Sequence, residues 1–259
     1  MRAMKLVTWN VNSIRARTER VIPWLAENKP DVLCMQELKV EDDKFPFDAF
    51  HDAGYHIEIA AQKTYNGVAI ASRTPLSDVR RGLDDGVEDP QARLISAVVD
   101  GVRIMSVYVP NGQAVGTDKY EYKLQWMDRF VRDLDAHYDR AQPMAICGDF
   151  NVAPEDKDVH DPVAWAGETL FHIDVRHALE RIRAWGLVDL FRLHHWEAGY
   201  YSWWDYQMLA FPKNRGLRID HIFATEPLAR RCDGCWIDRE ARKGQKPSDH
   251  APVVATFTG

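Results

Sequence analysis

Pro143-Met144-Ala145-Ile146-Cys147-Gly148-Asp149-Phe150-Asn151 sets two oxygen-bearing side chains directly after a short apolar run. Such a run, with polar residues at its carboxyl end, predicts a buried strand opening into a loop, where catalytic groups of α/β proteins gather. Asp149 and Asn151 stand two apart, so an extended backbone through Phe150 would turn both to one side and Phe150 to the other. Taken alone, Gly-Asp-Phe-Asn also reads as a plain turn, since Gly, Asp and Asn favour turns for local reasons.

The pattern recurs, and recurrence shifts the weight. Val7-Thr8-Trp9-Asn10, Val32-Leu33-Cys34-Met35-Gln36-Glu37 and Val107-Tyr108-Val109-Pro110-Asn111 each end a strand-like run in polar residues. Leu217-Arg218-Ile219-Asp220-His221 and Pro247-Ser248-Asp249-His250 continue the series. A fold that brings these strand edges together brings Asn, Glu, Tyr, Asp and His to one place.

Outward from these motifs, residues 4–9, 15–28 and 31–36 predict a strand, a helix and a buried strand. Residues 55–61 and 67–71 read as neighbouring strands, and 92–99 with 102–109 as a hairpin turning at Asp100-Gly101. A helix is expected through Tyr122 to Leu134, an irregular insertion over 152–171 and a second helix over 178–185. Residues 187–191 read as a strand or short helix, and 218–224, 232–238 and 251–257 as closing strands. This mixture predicts an α/β protein with two sheets packed face to face and helices outside. Each half of the chain, divided near Arg140, supplies strands flanked by helices. No low-complexity linker separates the halves, so residues 1–259 read as one domain.

With 259 residues, 46% of them hydrophobic, the chain can bury a large core. No stretch approaches the roughly 18 continuous apolar residues of a membrane helix, and no signal-peptide run opens the chain, which predicts a soluble, cytoplasmic protein. Of the four cysteines, Cys34 and Cys147 lie in strand-like runs, while Cys232-Asp233-Gly234-Cys235 is a lone CxxC without a second pair at zinc spacing. A net charge of −6 argues against coating nucleic acid by bulk attraction, but leaves room for a local basic face. Lys63, Lys119, Lys123, Lys213 and Arg215, in or beside predicted loops, are candidates for contacts to backbone phosphates.

Glu37 and Asp149, with Asn10 and Asp249 as helpers, are hard oxygen ligands without an accompanying Cys or His cluster, which selects Mg²⁺ or Mn²⁺ over zinc. Such a site completes its shell with waters and a phosphate, so the expected substrate is a phosphoester. Asp220 and His250 supply an Asp–His pair in which a carboxylate fixes the imidazole tautomer. His250 is then either a general base or a cation that binds the scissile phosphate.

Trp9-Asn10-Val11-Asn12, Gln36-Glu37, Tyr108-Val109-Pro110-Asn111-Gly112, Gly148-Asp149-Phe150-Asn151, Arg218-Ile219-Asp220-His221 and Ser248-Asp249-His250 together resemble, in order and spacing, the signature of the exonuclease III family of AP endonucleases. The resemblance covers essentially the whole chain. It implies a four-layered α/β sandwich and a Mg²⁺-dependent DNA repair nuclease, with Mn²⁺ as a substitute, that cuts 5′ to abasic sites and removes nucleotides or blocking groups from 3′ ends. The metal set it implies is Glu37 as principal ligand among Asn10, Asp149, Asn151, Asp249 and His250. The catalytic set is Tyr108, Asp149, Asn151, Asp220 and His250, with Asp149 and Asn151 on the attacking water. Asn111 and Lys119 would contact DNA, and Trp203 and Trp204, with Phe211, would line the damage pocket. The implied partner is double-stranded DNA bearing abasic sites or 3′ ends, with no membrane and a monomeric enzyme.

The chain departs from the family pattern at Leu217, where some relatives place Trp, and in the insertion around residues 159–172, where Leu170, Phe171 and His172 are expected to narrow the pocket. Two rival readings are a phosphoesterase of the same superfamily acting on phosphoinositides, lipids or RNA tails, and a non-enzymatic module that binds DNA damage or ends.

Overall fold

The computed structural model describes residues 2–259 and holds two six-stranded sheets. The first runs in the order β11 (Cys232–Ile237), β12 (Val253–Phe257), β1 (Met4–Asn10), β2 (Val32–Gln36), β4 (Val68–Ser72) and β3 (His56–Ala60). The second runs β5 (Ser77–Arg81), β6 (Leu94–Val99), β7 (Val102–Tyr108), β8 (Met144–Asp149), β10 (Asp220–Thr225) and β9 (Leu187–Asp189). Both sheets are mixed. Each is built around one parallel pair, β1 with β2 and β7 with β8, and each pair is joined through a helix.

Alternation along the strands sorts the apolar side chains into three layers. Leu6, Cys34, Ile70, Ile104, Ala145, Ile222 and Ala255 fill the space between the sheets. Val7, Trp9, Leu33 and Met35 point the other way, onto α1 (Ile14–Asn28) and α2 (Phe47–Asp52). Met105, Val107, Ile146 and Phe223 do the same on the second sheet, under α3 (Asp118–His137) and α5 (Ile173–Ala184). Helices, sheet, sheet and helices make the four-layered sandwich, and each large apolar side chain so buried contributes about 2 kcal/mol. The α3 helix starts at Thr117, whose hydroxyl accepts the Tyr120 N–H, and turns Tyr120, Trp126, Met127, Phe130 and Leu134 inward.

The two halves of the chain do not each form one sheet. Strands β11 and β12 return from the far end of the sequence to pair beside β1, and β5 to β7 of the first half belong to the second sheet. Residues 187–191 split between β9 and α6 (Leu190–His194), and α4 (Pro162–Trp165) lies inside the insertion expected to be irregular. The short helix α7 (Glu226–Ala229), α2 and β5 were not expected from the sequence.

A buried ion network ties the insertion to the second sheet. Arg218, 1% exposed, donates from Nε to Asp158 Oδ1 at 2.6 Å and from Nη2 to Asp189 Oδ2 at 2.9 Å, and Arg192 also pairs with Asp158. His221 closes the network, accepting from Arg218 at Nδ1 and donating from Nε2 to the Val152 carbonyl at 2.9 Å. Burial and the adjacent Arg218 charge hold its pKa down to about 3, so it is neutral.

Candidate active site

At one end of the inter-sheet layer the alternating positions turn polar. Beyond Leu6 and Cys34 come Thr8, Asn10 and Gln36; beyond Ile104, Ala145 and Ile222 come Ser106, Tyr108, Asp149 and Asp220. The carboxyl ends of β1, β2, β7 and β8 meet the amino ends of the antiparallel β10 and β12 at this edge. A buried floor closes it off from the apolar core: Gln36 Nε2 donates to Thr8 Oγ1 and Ser106 Oγ, each at 3.0 Å. Gly148 keeps β7 and β8 close here, since a Cβ at that position would stand 1.9 Å from the Val107 carbonyl oxygen.

On that floor, Asn10 Nδ2 donates to Glu37 Oε1 at 2.8 Å and to Asp149 Oδ2 at 2.9 Å. Glu37 follows β2 in the left-handed region at φ 54°, an uncommon conformation held by Ser13 N–H on its carbonyl and by Leu38 N–H on Gly67. Its second oxygen pairs with Lys39 at 2.7 Å. His250 donates from Nδ1 to Asp220 Oδ2 at 2.9 Å and sets Nε2 3.8 Å from Asp149 Oδ2. Ser202 supports the pair, donating to Asp220 Oδ2 at 2.7 Å, while Asp220 Oδ1 is buried with no hydrogen-bond partner among the described residues.

The electrostatics follow from this crowding. Burial pushes Asp149 up to about 7; Asp220 and Glu37 add to the rise, while His250 and the Asn10 amide oppose it. Burial works against the charge on His250, but Asp220, Asp249 and Asp149 outweigh it and hold the imidazole at about 10. Tyr108 is kept protonated, its phenol pushed well up by burial and then by Glu37 and Asp149.

Glu37, Asp149 and His250 offer ligand atoms that all lie within 4.8 Å of one another. Two hard carboxylates facing one point, one of them with its charge disfavoured, fit a divalent cation with oxygen preference. Three further residues expected as ligands carry hydrogen bonds of their own, as Glu37 and Asp149 also do on both oxygens. Asn10 turns its amide nitrogen to the carboxylates, because its Oδ1 accepts the Asn12 N–H at 3.0 Å. Both oxygens of Asp249 are taken, by Asn12 Nδ2 at 2.9 Å and Trp203 Nε1 at 3.0 Å. Asn151 Oδ1 accepts from Asn111 Nδ2 at 3.2 Å, and its Nδ2 holds the Val109 carbonyl at 2.9 Å.

Of the two readings of Gly-Asp-Phe-Asn, the turn is the one found: Phe150 N–H still bonds the Ile219 carbonyl at 2.9 Å, and the chain turns at the next residue. Asn151 sits at φ 50°, and its N–H returns to Asp149 Oδ1 at 2.8 Å, so a turn rather than a strand places the two side chains together. Beneath this turn lies Lys123, completely buried, its ammonium donating to the carbonyls of Asn151 at 2.7 Å, Thr169 at 2.9 Å and Asn111 at 3.1 Å. It is a clamp across three loops rather than a surface contact for phosphates. Burial lowers its pKa to about 7 against the pull of Asp149.

Asn111 is exposed and reaches Asn151 with its amide, and Lys119 is exposed in the first turn of α3. Trp203, expected in the aromatic wall of the pocket, meets Trp165 edge to face with ring centroids 6.2 Å apart and donates to Asp249. Trp204, expected in that wall, is instead fully buried and donates to Asn214 Oδ1 at 3.2 Å, with Phe211 packed edge-on against it. Leu170 and Phe171 do not narrow the site either: they form a small core with Ala153, Val159, Leu217 and Ile219, which also accounts for Leu217. His172 accepts from Asp174 N–H at the start of α5 and bonds Tyr120 Oη at 2.9 Å. Lys39, Ser202, Gln36 and Trp165 were missed by sequence reasoning. None stands in a strand-end position of the recurring pattern except Gln36, whose neighbour Glu37 drew the attention.

Residues 7–250 match the model of the Endonuclease/Exonuclease/phosphatase family. The chain is similar to an exodeoxyribonuclease III from Haemophilus influenzae, 34% identical over 98% of this chain and 100% of that protein. Among solved structures it resembles an AP endonuclease from Archaeoglobus fulgidus (TM-score 0.95, 46% identity, 98% of this chain and 99% of that one). It also resembles a Neisseria 3′ phosphatase bound to a product DNA hairpin (TM-score 0.95, 41% identity, 99% and 100%). Sequence motifs and sandwich thus agree with the comparisons, and the chain belongs to the endonuclease/exonuclease/phosphatase family, in its exonuclease III branch.

Proposed function

We propose that this protein is a Mg²⁺-dependent DNA repair nuclease that hydrolyses the phosphodiester 5′ to an abasic site and trims nucleotides or phosphate from 3′ ends. The convergence of Glu37, Asp149 and His250 from distant parts of the chain onto one polar edge carries this reading. Residues 1–259 act as one domain, and the enzyme works as a cytoplasmic monomer; among the described residues no helix is long and apolar enough to cross a membrane.

Glu37 and Asp149 would hold the metal, with Asn10 fixing both carboxylates. A bound Mg²⁺ supplies charge neutralisation at the phosphate oxygens. Asp149, gripped by Asn10 on one oxygen and the Asn151 N–H on the other, orients the attacking water and takes its proton. His250 acts as a cation: three carboxylates surround it, and with Nδ1 committed to Asp220 its Nε2 is left to donate to a non-bridging oxygen of the scissile phosphate. Tyr108 and Asn111 add neutral donors there, and such preorganised donors lower the barrier where charge develops. Trp203 and Trp165 offer the apolar wall for an extrahelical sugar, which costs least to extrude when its base is missing. The Neisseria 3′ phosphatase likeness supports end processing in the same site.

An end-labelled duplex with one stable abasic analogue, incubated with and without chelator, tests the proposal. Metal-dependent nicking 5′ to the analogue, leaving a 3′-hydroxyl, is expected. A protein that neither nicks this duplex nor releases 3′ nucleotides or phosphate contradicts it.

A further inference from the structure

Arg242, in the turn between β11 and β12, is 7% exposed. Arg93 and Arg218, the other buried arginines, donate to Gln91 and to Asp158 and Asp189. Arg242 differs. Among the described residues no carboxylate or hydrogen-bond acceptor meets its guanidinium, and its Nε is buried without a partner. It lies over the rings of Tyr206 and Phe211, at 5.0 Å and 5.1 Å from their centroids. Ring faces attract the charge but accept nothing from the in-plane N–H donors. The Arg242 Nε is left without an acceptor among the described residues, while the two Nη groups remain open to one arriving from the cavity side.

The surroundings indicate which acceptor. Arg242 lines a cavity of about 390 Å³ with Lys243, Tyr206, Phe211, Pro247 and Asp205. The Asp205 carboxylate at the rim accepts the Gln207 N–H, and Lys243 pairs with Glu240. Arg17 and Arg20 brace the wall: Arg17 donates to Tyr206 Oη at 2.9 Å, to the Pro247 carbonyl at 3.1 Å and to the Asn12 carbonyl at 2.8 Å, and Arg20 holds the Gln245 carbonyl at 2.7 Å. Burial lowers the Arg242 pKa, with Arg20 and Arg17 adding to the effect against Tyr206 and Asp249. The lining thus carries the Arg242 and Asp205 charges and the Lys243–Glu240 pair, and Arg17 and Arg20 behind the wall, which form no ion pair among the described residues, make its surroundings net positive. The lining residue Pro247 directly precedes Ser248-Asp249-His250, and Arg17, which bonds the Pro247 carbonyl, also holds the Asn12 carbonyl, so the cavity is tied to the loops of the active site.

We propose that this cavity is a phosphate subsite in which Arg242 receives a backbone phosphate of the bound DNA, distinct from the phosphate that is cut. The inference rests on the repair-nuclease reading and adds a strand contact to it. A backbone phosphate brings acceptor oxygens to the unpaired donors, and its sugar can rest on Tyr206.

The test is binding of the abasic-analogue duplex in chelator, with Kd followed between about 50 and 300 mM salt for wild type, Arg242→Gln and Arg242→Lys. Arg242→Gln is expected to weaken binding about fivefold at the low end and to make the log–log salt slope shallower by about 0.9, the loss of one phosphate contact, with Arg242→Lys keeping the slope. A wild-type slope and Kd in Arg242→Gln overturns the subsite. Thermal unfolding with inorganic phosphate separates the sources: protection of wild type but not Arg242→Gln, with an unchanged DNA slope, assigns the cavity to a free anion and overturns the strand contact. Should Arg242→Gln fail to fold, the guanidinium resonances of Arg242 in the wild-type protein are followed as duplex is added. A shift supports the contact, and none overturns it. Nicking by wild type is scored separately, so an inactive protein would overturn the nuclease reading while the salt slope still decides the subsite.

Discussion

Asn10 Nδ2 lies 2.9 Å from Asp149 Oδ2, a hydrogen bond between residues 139 apart in the chain and on opposite sheets. The same nitrogen reaches Glu37 at 2.8 Å, so one amide sets the separation of the two carboxylates. Asn10→Ala should lower kcat by about 10–100-fold, the range seen when groups orienting metal ligands are removed. Nicking rates at saturating DNA and graded Mg²⁺ check this. An unchanged rate would show that the carboxylates keep their places unaided.

Glu37→Ala removes a carboxylate and leaves Lys39 facing the vacated position. The Mg²⁺ concentration for half-maximal nicking should rise by about 100-fold or more, beyond the effect of losing a supporting group. Calorimetric titration of Mg²⁺ into the variant measures the same loss without turnover. Equal affinities for variant and wild type would remove Glu37 from the metal site.

The Asp158 network predicts acid sensitivity. Burial alone would raise the Asp158 pKa, but Arg218 and Arg192 outweigh it and hold it at about 2, below the usual carboxylate value of 3.8. A depressed folded-state pKa means stability that is present above about pH 4 and lost as the pH falls toward 2, amounting to about 2 kcal/mol. Urea midpoints at pH 7 and pH 3 should therefore converge in Asp158→Asn relative to wild type. The variant should also lose about 3 kcal/mol at pH 7, because Arg218 keeps only Asp189 as a carboxylate partner.

Lys123→Met keeps the length of the side chain and removes its donors. Three carbonyls on three loops would lose their common partner, at about 1–3 kcal/mol for each one left unsatisfied. Thermal unfolding should show the loss. Nicking kinetics should show a fall in kcat larger than any rise in KM, since Asn151 bonds both Asn111 and the Asp149 carboxylate of the cluster. A variant with wild-type kcat would make the clamp purely structural.

The strand edges of the site were legible because burial on both faces writes apolar runs and the polar residues that interrupt them stand out. The sheet to which a strand belongs was not legible, since the pairing of β12 with β1 depends on contacts across nearly the whole chain. Strand β5 carries Ser77, Asp78, Arg80 and Arg81 on an edge open to water, and so shows no apolar alternation. Lys123 and Trp204 misled for a common reason. Residue type favours a lysine at the surface and an aromatic beside a flipped nucleotide, whereas three backbone carbonyls trap the first inside and a neighbouring Phe211 and Asn214 enclose the second.

Asn10, Glu37 and His250 ride on one sheet or its flanking loops, and Asp149 and Asp220 on the other. The cluster therefore behaves like a vernier between two plates. Enlarging a side chain at the midline, at Cys34 or Cys147, would overpack the core at about 1–3 kcal/mol and slide or splay the plates by fractions of an ångström. Turnover would feel the displacement first, making activity the finer gauge of how well the two plates are seated.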